Sequence, residues 1–491
     1  MINNCILNKK IFFFFCFSVL LLLGVSEDSY IHDLFGQCDS AIFYTCGKAW
    51  MEGLTPYIDF ADSKGPFLWL IYGIGYLISP VDYTGIYWLA CINYTFTFYF
   101  AFKTAKIFLK DDRYSILASL LTSFAFFNPL CHNEVRAEDF ALLYVTISLY
   151  IMSKILYNGQ YDRKHIGKDA FFLGVCFGLC LLIKFSISAM LGIFLVYLIF
   201  WSIREKCSTL TIISTYCLGI LLTCIPFVVY FLIKGNFSDF INEYFINTLF
   251  TVNPEGRSTK NLVVRLFIWN YSRLLTGLLA ALIPVWLGYI KHDRYFLLIS
   301  ILFFFLVISP NAQMGYYFNI CSIFGLFTII GLMHLLEKSK WTISKSFFRI
   351  STIVILVSCV MYHFQIYHFG SKHCSHSLKT QTFKNDSREK FIYYSNIVKR
   401  KDKAKILYWG CMDIGIGTPG RSIPACKYWT LQNGATESML ADQRNTVEKR
   451  IPDFVIIEKR ELDKEKKLLD LNYQKHDSKI PTDDLLLFSK H

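Results

Sequence analysis

The chain has 491 residues, of which 54% are hydrophobic, 17% aromatic and only 18% charged, against roughly a quarter charged in soluble domains. A formal net charge of +13 would suit a nucleic-acid partner, but the Lys and Arg residues fall in short knots between apolar runs. That spacing is the mark of membrane topology; it excludes nucleic acid as the partner and predicts an all-α polytopic membrane protein.

In chain order, Lys9 and Lys10 precede "IFFFFCFSVLLLLGV", which has the length of a signal peptide but no A-x-A cleavage site. It is read as a retained first span entering from the cytoplasm. A polar, acidic island follows, "FGQCDSAIFYTCGKAWMEGLTPYIDFADSKGPF", residues 35–67. The next apolar stretch, 66–79, lies between Pro66 and Pro80 and is short of the roughly 20 residues needed to cross a bilayer, so it is placed in the interface. Ten further spans are read at 84–102, 114–130, 140–153, 170–183, 187–203, 210–233, 266–290, 295–309, 316–336 and 347–368. With 66–79 kept in the interface, the knots around Lys103 to Arg113, Lys154 to Lys168, Arg204/Lys206, Lys291/Arg294 and Lys338 to Arg349 all share a side with Lys9 and Lys10. The positive-inside rule then holds at every turn and gives about 11 spans, with the opening loop and the C-terminal tail both outside the cytoplasm.

From about residue 371 the pattern changes to charged sequence with β-like strings, "AKILYWG" and "DFVIIEKR", joined by a Gly- and Pro-rich linker. Residues 371–491 are read as a small soluble α/β domain, and 1–370 as a transmembrane domain whose first outer loop, 26–83, carries chemistry. Many of the 16 cysteines sit in apolar runs as small hydrophobes; Cys38 with Cys46 and Cys411 with Cys426 are the pairs that could form disulfides outside the cytoplasm. No ligand spacing calls for a metal, and no motif calls for a cofactor.

The polar residues left on the outer side are few. The opening loop supplies Asp39, Asp59, Asp62 and Lys64; the third loop, "HNEVRAED", supplies Arg136, Glu138 and Asp139; the turn between two apolar runs supplies Lys184. Ionisable groups at this depth are expensive and are functional candidates by default, though Lys184 could snorkel and Glu138 and Asp139 could cap a helix. A carboxylate beside cations suits transfer from a lipid-anchored phosphate: the carboxylate takes the acceptor's proton, and the cations offset charge on the departing phosphate.

The order of a first span, "CDSAIFYTCGKAWMEGLTPYIDFADSKGPF", "NEVRAED" and "LGVCFGLCLLIKFS" resembles the type C membrane glycosyltransferases of the protein O-mannosyltransferase and aminoarabinose transferase group over roughly residues 1–340. The resemblance implies an integral glycosyltransferase of a bacterial inner membrane, working without a metal. It would move a sugar from a polyprenyl-phosphate donor to a glycan, lipid or protein acceptor on the periplasmic face, with inversion. It implies Asp39 as catalytic base and Lys64, Lys184 and Arg136 as phosphate-binding groups; Asp59, Asp62, Glu138, Asp139, Tyr316 and Tyr317 are substrate-binding candidates. The chain departs from many relatives in having Asp39-Ser40 in place of Asp-Glu, and Gly315-Tyr316-Tyr317 where they carry His-Tyr. The competing readings are a polysaccharide polymerase or ligase with a diphosphate-linked donor, and a flippase for lipid-linked sugars.

Overall fold

The computed structural model describes residues 2–26, 28–32, 38–127, 134–248, 315–339, 342–369, 385–431, 436–459, 462, 468–470, 472–476 and 485–490. Helix α1, Ile2–Val25, is followed by α2, Cys38–Met51, and α3, Pro66–Ile78. The long helices are α4, Thr84–Phe108; α7, Ala137–Tyr157; α8, Ile166–Ile183; α9, Phe185–Arg204; and α10, Thr209–Ile233. Two short helices, α5, Asp112–Leu121, and α6, Ser123–Phe126, stand between α4 and α7. A short α11, Phe237–Phe240, runs into a π-helical turn, Ile241–Asn247; further on come α12, Gly325–Lys338, and α13, Lys345–Phe369.

Six described helical segments are long and apolar enough to cross a membrane: Leu7–Val25, Ala137–Tyr157, Arg163–Ile183, Phe185–Arg204, Thr209–Ile233 and Ile320–Lys338. Helices α4 and α13 match two more expected spans in position, and α3 is the short apolar helix expected from its bounding prolines. The expected spans at 266–290 and 295–309 lie outside the described residues. Two expectations change. The span read at 114–130 is broken, with α5 ending at Leu121 and α6 following from Ser123. The opening loop carries a full helix, α2, because the run from Ala41 to Ala49 is buried on all sides and a buried backbone must satisfy its own hydrogen bonds.

Close packing in the bundle depends on small residues. A Cβ on Gly174 of α8 would fall 2.0 Å from the Tyr216 carbonyl oxygen on α10, and one on Gly219 of α10 would fall 2.2 Å from the Phe171 carbonyl oxygen. With Gly178, they let two helices touch backbone to backbone, the usual means of association where lipid removes the hydrophobic drive.

The two ends of the bundle differ in charge. At one end Lys10 and Lys106 both pair with Asp112, at 2.5 and 2.8 Å, and Glu337 accepts the backbone N–H groups of Lys110 and Asp111 at 3.0 and 2.8 Å. Lys154 pairs with Asp169 at 2.9 Å and Arg163 with Glu205 at 2.6 Å, and the Phe108–Tyr157 ring contact, 5.6 Å between centroids, joins the two groups. The opposite end carries α2, residues 134–136, the α8–α9 turn and the C-terminal domain.

That domain has a five-stranded mixed sheet in the order β2-β1-β3-β5-β4, built from β1, Lys405–Trp409; β2, Ile423–Pro424; β3, Phe454–Glu458; β4, Tyr473–His476; and β5, Leu485–Lys490. Strand β1 is parallel to β2 and β3, and β5 is antiparallel to β3 and β4. Helices α14, Asn385–Val398, and α15, Glu437–Glu448, accompany it. Both β-like strings of the sequence are strands, and as central strands they are buried along most of their length. Cys46, Cys411 and Cys426 are free thiols, so neither suggested disulfide is present.

Candidate active site

Asp39 stands in the first turn of α2. Its Oδ2 lies 3.7 Å from Arg136 Nε, and its side chain keeps 15% of its surface exposed, enough for a hydroxyl to reach it. Arg136 is also gripped by Glu134, whose Oε1 accepts from Nε at 3.0 Å and lies 2.9 Å from Nη2. The second oxygen of Glu134 accepts the Ser40 N–H at 3.1 Å. One buried carboxylate thus ties the start of the Asp39 helix to the guanidinium. Burial pushes the Glu134 carboxyl up, with Asp39 adding to the rise and Arg136 opposing it.

Behind them Asp28, fully buried, accepts the Val135 N–H through Oδ2 at 2.7 Å, while its Oδ1 has no hydrogen-bond partner. Burial pushes this carboxyl up to about 8, against the pull of the Val135 bond. Sequence reading missed both acids. Glu134 was at least inside the "NEVRAED" string, whereas Asp28 follows Glu27 just after the first span with no motif around it.

Lys64 is positioned by a strained turn. Tyr57 has φ +65°, a left-handed conformation that costs roughly 1–3 kcal/mol outside glycine. Its buried ring is held by Trp69 at 4.7 Å, Phe240 at 5.4 Å and Phe231 at 5.5 Å, and its hydroxyl donates to the Lys64 carbonyl at 3.2 Å. The ammonium of Lys64 reaches Ser63 Oγ at 3.0 Å and lies 5.5 Å from the Phe43 ring centre. Lys184 forms the extended break between α8 and α9 and pairs with buried Glu138 at 2.5 Å. The two lysines are neighbours along the backbone: the N–H of Gly65 donates to the Ile183 carbonyl at 3.0 Å.

The other candidates fall in different places. Asp62 is buried beside Lys64, with Oδ2 unpartnered, and its carboxyl is raised by burial with Lys64 opposing. Asp59 is exposed and accepts the Thr55 N–H at 2.6 Å, closing a local turn. Asp139 completes the cap of α7 by accepting the Arg136 N–H at 2.8 Å, and it also accepts from the Tyr94 hydroxyl. Tyr316 and Tyr317 begin a 3₁₀ helix, Gly315–Phe324, and their side chains lie outside the described residues. Among the described residues no group of three or more His, Cys, Asp or Glu could hold a metal ion.

Asp28 gives a testable pH dependence. Its folded pKa is raised, so between about pH 4 and 8 the folded chain keeps a proton that the unfolded chain releases. Stability therefore falls as pH rises through that window, by up to about 1.4 kcal/mol per pH unit. Asp28→Asn keeps an acceptor for Val135 and should flatten this slope. Thermal unfolding of the detergent-purified protein at pH 5 and pH 8 checks it, and an unchanged slope would contradict the assignment.

The described residues form a bundle of membrane-length helices, with an acidic and basic cluster at the end away from the lysine knots and a small soluble domain packed on that cluster. Three comparisons bear on this chain. Residues 63–230 match the sequence model of the family described as dolichyl-phosphate-mannose-protein mannosyltransferase, a stretch that includes Lys64, Arg136 and Lys184 and begins after Asp39. Among solved structures, the chain is similar to ArnT from Cupriavidus metallidurans bound to undecaprenyl phosphate, with a TM-score of 0.58 and 12% identity over 98% of this chain and 97% of that one. The apo form of ArnT gives 0.58 and 11% over 96% of each. The archaeal oligosaccharyltransferase AglB from Archaeoglobus fulgidus, in complex with an inhibitory peptide and a dolichol-phosphate, gives 0.51 and 11% over 98% of this chain and 74% of that one. Among curated proteins, none matches by sequence. The resemblance read from the sequence is thus matched in fold, and in sequence over residues 63–230.

Proposed function

We propose that the chain is an integral membrane glycosyltransferase that moves a sugar from a polyprenyl-phosphate donor to an acceptor hydroxyl, with inversion, at the periplasmic face of a bacterial inner membrane. Asp39 takes the acceptor proton as that oxygen attacks the anomeric carbon; the bond from that carbon to the phosphate oxygen breaks, and the polyprenyl phosphate leaves with the bonding pair. Arg136, Lys64 and Lys184 offset the charge that builds on the leaving phosphate. The observation that carries this reading is the exposed edge of Asp39 beside the Arg136 guanidinium, at the end of the bundle opposite the lysine knots. Its support from similarity is a fold shared with a protein solved with undecaprenyl phosphate bound. The positive-inside rule puts the lysine knots in the cytoplasm and this cluster outside it.

The test is release of free polyprenyl phosphate. Purified protein in lipid nanodiscs is given a panel of undecaprenyl-phosphate-linked pentoses and hexoses with a mixed acceptor extract. Turnover of at least one donor, with the opposite anomeric configuration in the product, is expected. Failure to turn over any of them, together with no saturable binding of undecaprenyl phosphate, would remove the reading.

A further inference from the structure

Helix α2, which carries Asp39, is held from outside the membrane part. Thr45 lies six residues beyond Asp39, and its hydroxyl donates to Asp413 Oδ2 at 2.7 Å, with both side chains buried. Asp413 stands in the loop after β1 and is fixed there: its Oδ1 accepts the Gly415 N–H at 2.8 Å, and its own N–H donates to Thr430 Oγ1 at 2.7 Å. Lys48, almost one turn further along α2, is 1% exposed, and its ammonium lies 5.8 Å from the Tyr44 ring centre. The carboxylates acting on it are Asp413 and Glu52, and Glu52 is itself paired with Lys403 of the C-terminal domain.

The same domain reaches the phosphate side of the site. The Ala61 N–H, three residues before Lys64, donates to the Lys427 carbonyl at 2.9 Å. Lys427 Nζ and the Tyr428 hydroxyl meet Glu243 Oε1 at 2.6 and 2.7 Å, and the next residue, Tyr244, donates to the Leu181 carbonyl at 2.6 Å, just before the Lys184 turn. An ordinary contact between domains of one chain is polar, wet and loosely held. This one instead buries a carboxylate and an ammonium, groups that cost several kcal/mol to bury unless each finds its partner.

We propose that the C-terminal domain is a positioning element of the active site, with Asp413 holding α2 through its bond to Thr45 so that Asp39 faces Arg136. The proposal rests on the assignment of Asp39 as base. Asp413 touches no reacting atom; it acts through α2, a helix rigid enough to carry a shift at Thr45 back to its first turn.

Full-length Asp413→Ala in nanodiscs tests it by three readouts: deuterium exchange of residues 38–51, affinity for undecaprenyl phosphate, and turnover of a donor that the unaltered chain uses. Exchange in α2 should rise by about tenfold or more while α8 and α10 stay protected. Turnover should fall by about 10- to 100-fold, the scale of an approximately 1 Å misplacement of a catalytic group, and affinity should stay within about twofold. Asp413→Asn keeps an acceptor for Thr45 but leaves buried Lys48 with Glu52 as its remaining carboxylate, so adding Lys48→Met to it should recover most of the lost turnover. A domain that merely stabilised the fold would move affinity and turnover together and would show no such rescue. Unchanged exchange in α2, or parallel loss of affinity and turnover, overturns the proposal. If even the unaltered chain turns over no donor, it is the functional reading that fails, and the exchange result alone still decides whether Asp413 holds α2.

Discussion

Asp39→Asn is expected to lower turnover by about 100-fold or more, the usual scale for losing a general base, while leaving affinity for polyprenyl phosphate unchanged. The amide keeps the shape of the side chain and can still face Arg136, but it cannot take a proton. Binding is spared because the phosphate is assigned to cations, and Glu134 continues to hold Arg136 at 2.9 Å. Two neighbouring acids make the experiment discriminating. Asp59 is exposed and engaged in its own turn through Thr55; Asp59→Asn preserves that acceptor and should leave turnover near its starting value. Asp62 is buried, unpartnered at Oδ2 and raised by burial, so a fall with Asp62→Asn and none with Asp39→Asn would move the base along the loop. The measurement is steady-state release of polyprenyl phosphate with acceptor saturating, and retention of activity by all three variants would leave the glycosyltransferase reading without its chemistry.

How much of this was legible in the sequence follows from the range of the interactions. Spans were legible because hydropathy is local: Lys9/Lys10 before an apolar run, or prolines bounding 66–79, need no knowledge of distant chain. The strings around Lys405–Trp409 and Phe454–Glu458 read as strands for the same reason. The helical nature of 38–51 was missed because its polar residues, Asp39, Thr45 and Lys48, suggest a solvated loop, whereas Asp39 and Thr45 find partners from far along the chain, Arg136 and Asp413, and Lys48 is buried. Glu134 and Asp28 were overlooked on similar grounds, since a buried acid announces itself only through the burial and hydrogen bonds that folding creates. Asp59 and Asp139 read as site candidates from their charge and outer-face position, with a helix cap as the alternative for Asp139; the structure engages one in a turn and the other in that cap, both standard local duties of a carboxylate.

The second large effect is expected from Gly65→Ala, one methyl group at the junction of the two lysine segments. A Cβ there would stand 2.1 Å from the Leu182 carbonyl oxygen, 2.5 Å from its carbonyl carbon and 2.8 Å from the Tyr244 hydroxyl. The first two are backbone atoms at the end of α8, so no side chain can swing aside and one main chain must retreat. That retreat breaks the bond from the Gly65 N–H to the Ile183 carbonyl, at about 0.5–1.5 kcal/mol for the bond and about 1–3 kcal/mol for the overpacking. It also parts Lys64 from the turn bearing Lys184, the two lysines proposed to hold the donor phosphate. Affinity for undecaprenyl phosphate should fall by about 10- to 100-fold, equivalent to about 1.4–2.8 kcal/mol, with a lowered unfolding temperature. Gly159→Ala, at a glycine with nothing within 4 Å, serves as the control and should change neither. Should Gly65→Ala fail to fold, Lys64→Gln leaves the backbone intact and should weaken binding in the same direction. A folded Gly65→Ala that binds undecaprenyl phosphate like the parent would show that the phosphate does not sit between these two lysines.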